Sequence, residues 1–136
     1  MELAVVYWSG TGHTEAMAKA VAEGAGATLY TADEFTPAKA AEVDKVAMGC
    51  PAMGSEVLEE SEFQPMFDAC KGALKGKKAV LFGSFGWGDG EWMRTWEDDC
   101  RAAGIELAAE SVTCQDDPDD DVLNQCRALG EALKNA

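Results

Sequence analysis

The chain has 136 residues, 47% of them apolar, which is enough to bury one core and too hydrophobic for a disordered segment, so a single domain over 1–136 is expected. Its 25 acids outweigh 11 bases for a net charge of −14, a balance that repels nucleic acid and anionic lipid and attracts basic partners. No apolar run has bilayer length, and the start Met1-Glu2-Leu3 lacks the basic region of a secretory signal, so no membrane association and a cytoplasmic location are expected.

Leu3 to Tyr7 is a short continuous apolar run, the pattern of a strand covered on both faces. It enters Ser9-Gly10-Thr11-Gly12-His13-Thr14 and then a helix with Met17, Ala20 and Val21 on one face, ended by Gly24 and Gly26. A brief strand at 28–31 and a weak helix or loop after Thr36-Pro37 follow. Residues 46–50 read as a strand and 51–55 as a loop. The next helix carries Phe63, Met66, Phe67, Cys70 and Leu74, with Pro65 tolerated near its start. Residues 79–82 form the next buried strand, and 83–90 a glycine-rich loop. Trp92, Trp96, Cys100 and Ala103 line one side of a fourth helix. Residues 105–112 partly alternate, as an edge strand does. The last helix starts at Asp119–Asp121, good N-terminal chemistry, and turns Val122, Cys126, Leu129 and Leu133 inward.

Strands alternating with helices imply a parallel α/β sheet wound on both faces. Ligands then bind beyond the carboxyl ends of the strands, where strand order reverses. Loops 9–14, 51–57 and 83–91 leave those ends. The five cysteines are scattered, with no C-x-x-C pair and an odd total, so free buried thiols are expected and no metal site.

The first loop offers glycine-freed amides, three hydroxyls and a helix N-terminus: a phosphate cradle without lysine. It matches neither the triphosphate pattern G-x-x-x-x-G-K-[ST] nor G-x-G-x-x-G. Trp87 lies between glycines, where no helix stripe explains it.

Tyr7-Trp8-Ser9-Gly10-Thr11-Gly12-His13-Thr14-Glu15 resembles the phosphate signature of the flavodoxins. Gly49-Cys50-Pro51-Ala52-Met53-Gly54-Ser55-Glu56 is similar to the second flavin loop of their short-chain branch, and Leu81-Phe82-Gly83-Ser84-Phe85-Gly86-Trp87-Gly88-Asp89-Gly90 to the third. The resemblance covers essentially the whole chain and implies a flavodoxin-like three-layer sandwich with a five-stranded parallel sheet in the order 2-1-3-4-5. It further implies a monomeric low-potential carrier that binds one FMN non-covalently, passes single electrons between redox proteins and has no substrate turnover of its own.

By the same resemblance, Ser9, Gly10, Thr11, Gly12, His13 and Thr14 hold the FMN phosphate, with Pro51, Ala52 and Ser55 in the second loop. Met53 lies on the inner flavin face and Trp87 on the outer. The Gly54 carbonyl sits near N5 and Glu56 accepts from N3–H. Backbone groups of residues 86–89, Gly86, Gly88 and Asp89 among them, meet the pyrimidine edge; Ser84 and Phe85 also belong to the cofactor site, Phe85 by packing only. Cycling mainly between neutral semiquinone and anionic hydroquinone is expected, with a very low second potential because carboxylates disfavour the added charge.

Two positions depart from the family's common pattern: His13 stands where Asn is usual, and Phe85 where Tyr is. A phosphate dianion favours an imidazolium at His13 and the helix N-terminus opposes it. If the phosphate dominates, FMN affinity falls as pH rises through the His13 titration. Acids at 56, 59, 60, 62, 89, 91, 116, 117 and 119–121 are expected to form a rim around the flavin, with Lys45, Lys71, Lys75, Lys77 and Lys78 on the opposite edge. Such a dipole steers redox partners with basic docking surfaces, of the ferredoxin-like donor and acceptor kind.

A receiver domain shares this architecture but needs acids where Trp8-Ser9 stand, and a low-molecular-weight phosphatase needs a first-loop cysteine. The competing reading is a flavin-dependent NAD(P)H or quinone reductase of the same superfamily.

Overall fold

A computed structural model describes residues 2–54 and 56–136. Strand β1 (Leu3–Tyr7) leads into α1 (His13–Ala25), β2 (Thr28–Thr31), α2 (Pro37–Glu42), β3 (Lys45–Gly49) and α3 (Phe63–Cys70). Then come β4 (Lys78–Phe85), α4 (Glu91–Ala102), β5 (Glu106–Leu107), β6 (Val112–Gln115) and α5 (Asp120–Asn135). The strands are parallel in the order β2-β1-β3-β4-β5, and β6 also pairs with β4.

The sheet separates two cores. Ala4, Val6, Val46, Met48 and Leu81 face α2, α3 and α4, where Phe63, Phe67 and Trp96 pack edge to face. Val5, Ala47, Val80 and Phe82 face α1 and α5. Successive residues of β1, β3 and β4 are therefore buried on opposite faces, which is why these strands read as unbroken apolar runs.

The edge departs from the expected five strands. Leu107 pairs with Ala79 and Val112 with Phe82, so five steps on the edge match three on β4 and two residues loop out. The edge strand is thus two pieces, and its second part runs on to Gln115. Pairing with β6 also extends β4 to Phe85, so Ser84 and Phe85 belong to a strand and not to the glycine-rich loop.

Helix ends follow local chemistry. The Thr36 hydroxyl accepts from the Lys39 amide ahead of Pro37, and Asp119 accepts from the Val122 amide at 2.9 Å. Gly26, at φ 64°, closes α1 in the left-handed region. Gly24, by contrast, lies inside α1 and terminates nothing. A Cβ there would stand 2.0 Å from the Arg127 carbonyl oxygen, and one at Gly130 would stand 2.2 Å from that of Val21. Both glycines are points of backbone contact between α1 and α5.

Two lysines sit at the edge away from the loops. Lys77 Nζ donates to the carbonyls of Ala40, Ala41 and Val43 at the end of α2, and Lys45 Nζ donates to those of Lys134 and Ala136 at the end of α5. Among the described residues, no helix is long and apolar enough to cross a membrane.

Candidate functional site

The crevice opens where β1 lies between β2 and β3, the point at which strand order reverses. It is a cleft of about 240 Å³. The first loop contributes Gly10, Thr11 and His13, and the second Pro51, Ala52 and Met53. Ser84, Phe85 and Gly86 come from the end of β4. Trp8 and Asp116 line it as well, and sequence reasoning gave neither a site role. No lysine or arginine lines this cleft among the described residues.

Gly12, at φ 94°, turns the first loop into α1 without a side-chain cap. Its amide donates to Ser9 Oγ at 3.1 Å, and the His13 amide donates to Thr11 Oγ1 at 3.5 Å. The Trp8 ring lies against this loop, since a Cβ on Gly10 would come within 3.0 Å of it. Thr14 is placed differently from a cleft-facing hydroxyl: it is 1% exposed and its Oγ1 lies 3.0 Å from Ser84 Oγ. This pair ties the base of the phosphate loop to β4.

The second loop is clipped by two backbone bonds, Met53 N–H to Val57 O at 2.9 Å and Val57 N–H to Met53 O at 3.1 Å. Gly54 and Glu56 inside it have φ of 47° and 56°. Ser55 lies outside the described residues. The root of the loop is held by the Cys50 carbonyl, which accepts from Trp92 Nε1 at 3.1 Å and would lie 2.2 Å from a Cβ on Gly83. Burial pushes the Cys50 thiol up to about 12, although the Glu59 amide donates to it. This sulfur stays protonated and is no nucleophile.

Glu56 stands apart from the exposed Glu60 and Glu62 that follow it. Its Oε1 accepts from the amides of Gly90 and Glu91 at 3.2 and 3.1 Å, capping α4, whose N-cap Gly90 has no side chain to do so. A Cβ on Gly88 would come 2.6 Å from the same oxygen. Glu56 therefore organises the third loop, a role sequence spacing did not reveal. Asp89 pairs with Arg94 at 3.1 Å and does not line the cleft. Phe85 packs on Trp92 at 5.4 Å and also reaches the cleft.

Trp87 is 64% exposed, one of few large apolar side chains left in water. It is not tucked into the core, whereas Trp92 and Trp96 on α4, each 1% exposed, are.

Glu59 corrects the expected rim, being only 5% exposed. Its carboxylate accepts from the Ser61 hydroxyl and from the amides of Ser61, Glu62 and Phe63, the last two at 2.8 and 2.9 Å. Burial would raise its titration, but the Ser61 hydroxyl and the three amides outweigh it and hold the carboxyl below the ordinary glutamate value. A carboxyl lowered in the fold contributes stability above the unfolded-chain value of about 4.3 and loses it as pH falls through the lower folded value. Glu59→Gln is therefore expected to flatten the acid limb of stability against pH in denaturant titrations. An unchanged acid limb would refute it.

The donor set suits a phosphorylated planar heterocycle: amides and hydroxyls without a fixed cation at one end, a thioether and aromatic rings along the rest. Comparison with known proteins agrees. The flavodoxin family model matches residues 5–130. This chain belongs to the flavodoxin family. It is 42% identical to a flavodoxin of Megasphaera elsdenii over 137 residues, covering 97% of this chain and 98% of that one. Identity to a flavodoxin of Clostridium beijerinckii is 39% over 136 residues, covering 96% and 98%. The solution structure of two-electron-reduced Megasphaera elsdenii flavodoxin superposes with a TM-score of 0.89 over 98% of this chain and 99% of that one. Flavodoxins bind FMN and carry electrons, and the hydroxyl-lined end and apolar bed of this cleft fit that cofactor.

Proposed function

We propose that the whole chain acts as one FMN-binding unit that passes single electrons between redox proteins and turns over no substrate itself. The observation carrying this reading is the cleft at the switch point, with an uncharged amide-and-hydroxyl end, Met53 at its wall and Trp87 held in solvent beside it. Bound FMN supplies electron uptake and release in single steps; the chain supplies its position and surroundings. Loop 9–14 binds the phosphate through amides and hydroxyls, Met53 and Trp87 cover the two faces of the ring, and the backbone of 86–89 meets its pyrimidine edge. Glu56 presents a carboxylate to the ring N3–H while capping α4.

Gly54 is assigned the carbonyl that accepts from N5–H. A Cβ at Gly54 would touch nothing within 4 Å, so Gly54→Ala acts on backbone freedom alone. The expected result is a smaller separation between the two one-electron potentials, and an unchanged separation would remove the assignment.

The test of the whole reading is an anaerobic reductive titration of FMN-loaded protein followed by absorbance. Two resolved one-electron steps support it, and protein that stays colourless in excess FMN overturns it. Oxidation of NAD(P)H by the protein alone would instead establish the reductase reading.

The electron exit faces acids. Glu56, Asp89, Glu91, Asp116 and Asp117 sit on the loops and helix starts around the cleft, and the lysines that close α2 and α5 sit at the far edge. This charge separation supports docking on basic surfaces of ferredoxin-like donors and acceptors, by a carrier we take to be a cytoplasmic monomer. Association with such partners is expected to slow steeply as ionic strength rises, measured by stopped flow; a flat response would exclude steering.

A further inference from the structure

His13 is the only histidine of the chain, and it does not stand free in the first loop. Its Nε2 lies 3.0 Å from Asp117 Oδ1, which tethers the start of α1 to the loop between β6 and α5, on the wall that also presents Asp116. Asp117 is 91% exposed at its side chain, whereas His13 is 30% exposed and lines the cleft beside Thr11. The ring thus has one nitrogen committed to an anion outside the cleft, while the other has no partner among the described contacts.

The titrating groups near the imidazole come from one segment. The loop before α5 brings Asp116 and Asp117, and β6 brings the Cys114 thiol, which donates to the Asp117 carbonyl. From β1 and β4 come Trp8 and Ser84, and from its own segment Thr11 and the α1 N-terminus. No lysine or arginine lines the cleft among the described residues. Among the described residues that line the cleft, protonated His13 is therefore the one source of a cation at the amide-and-hydroxyl end.

We infer that His13, oriented by Asp117, makes this cleft select a phosphorylated flavin over its unphosphorylated parent, and that it does so while the imidazole carries two N–H groups. This rests on the cleft holding FMN. Neutral imidazole has one N–H. With Nε2–H donated to Asp117, Nδ1 of the neutral ring would offer a phosphate oxygen only a lone pair. Protonation would make Nδ1 a charged donor, able to join Asp117, the ring and a bound phosphate in one chain of hydrogen bonds. His13 is a specificity residue, and Asp117 is a positioning residue acting through it.

The test measures binding of FMN and of riboflavin to the full-length apoprotein at about pH 5.5 and about pH 8.5, either side of the ordinary imidazole range. The wild type is expected to show an FMN-to-riboflavin affinity ratio greater at low pH, relative to His13→Asn, by roughly fivefold, the size of an exposed charge pair. Ionisation of the phosphate itself affects both proteins and drops out of that comparison. Asp117→Ala and Asp117→Asn remove the same charge, so the difference between them isolates the acceptor for Nε2. The low-pH selectivity is expected to weaken in Asp117→Ala and to recover in Asp117→Asn. Equal pH profiles in wild type and His13→Asn, with both flavins bound, would overturn the inference and leave the FMN reading intact. Failure to bind either flavin would overturn both.

Discussion

Trp87→Ala is expected to weaken FMN binding by about 5- to 150-fold while leaving the thermal unfolding of the apoprotein unchanged. The affinity loss follows from stacking of an indole on a planar ring, which is worth ~1–3 kcal/mol. The unchanged stability follows from exposure: a side chain 64% in water buries little that unfolding would expose. An indole in that position adds little to the stability of the apoprotein and acts only once a flat ligand covers it. Trp87→Phe keeps a smaller aromatic face and should fall between the two. Fluorescence titration with FMN reads the affinity, and differential scanning calorimetry the apoprotein. A dissociation constant within about twofold of wild type would show that the indole is not the outer cover of the ring.

Gly130→Ala carries the largest expected stability loss, with a sign opposite to helix propensity. In an open helix interior, alanine would gain ~0.8–1 kcal/mol over glycine. Here the new Cβ stands 2.2 Å from the Val21 carbonyl oxygen and 2.8 Å from the Ala25 nitrogen, and backbone atoms cannot rotate away. Helices α1 and α5 must separate, which opens the core of Met17, Val21, Cys126 and Leu133. Overpacking of this kind costs ~1–3 kcal/mol, so the melting temperature should fall by roughly 4 °C per kcal/mol lost. Gly24→Ala meets the Arg127 carbonyl oxygen at 2.0 Å in the same crossing. The double variant is accordingly expected to lose less than the sum of the two. Gly72→Ala, which meets nothing within 4 Å, is the control and should be neutral or stabilising. If Gly130→Ala is as stable as the control, the close crossing does not hold in solution.

Features of the fold that depend on neighbours in sequence were legible before any coordinates. The runs 3–7 and 46–49 are apolar at every position, and only a strand covered on both faces asks for that. Thr36-Pro37 and Asp119 announce their helices by chemistry local to one turn. The three loops could be placed because they follow such strands. Features set by remote contacts were not legible. The extension of β4 to Phe85 depends on β6, thirty residues later in the register. Gly24 resembled a helix stop because nothing near it in sequence reports the backbone of α5. Glu59 looked like one acid among several until the turn at 61–63 wrapped its amides around it. Of the site, the loop containing His13 was found from type and spacing and Met53 from the family resemblance, while Asp116 was expected only as one acid of the rim and Trp8 only as a neighbour of the phosphate loop. Asp116, at φ 60°, enters the cleft through a backbone turn that its side-chain type permits and does not announce.

The paired bonds between Met53 and Val57 fasten the stem of the second loop, and Glu56 ties its tip to the amides that open α4. Through Cys50 the stem is fastened in turn to β4 and Trp92. A loop pinned at both ends is expected to hold its outline when the charge of the site changes. A protein that docks against it meets the same contour before and after exchange, so little rearrangement has to accompany the transfer.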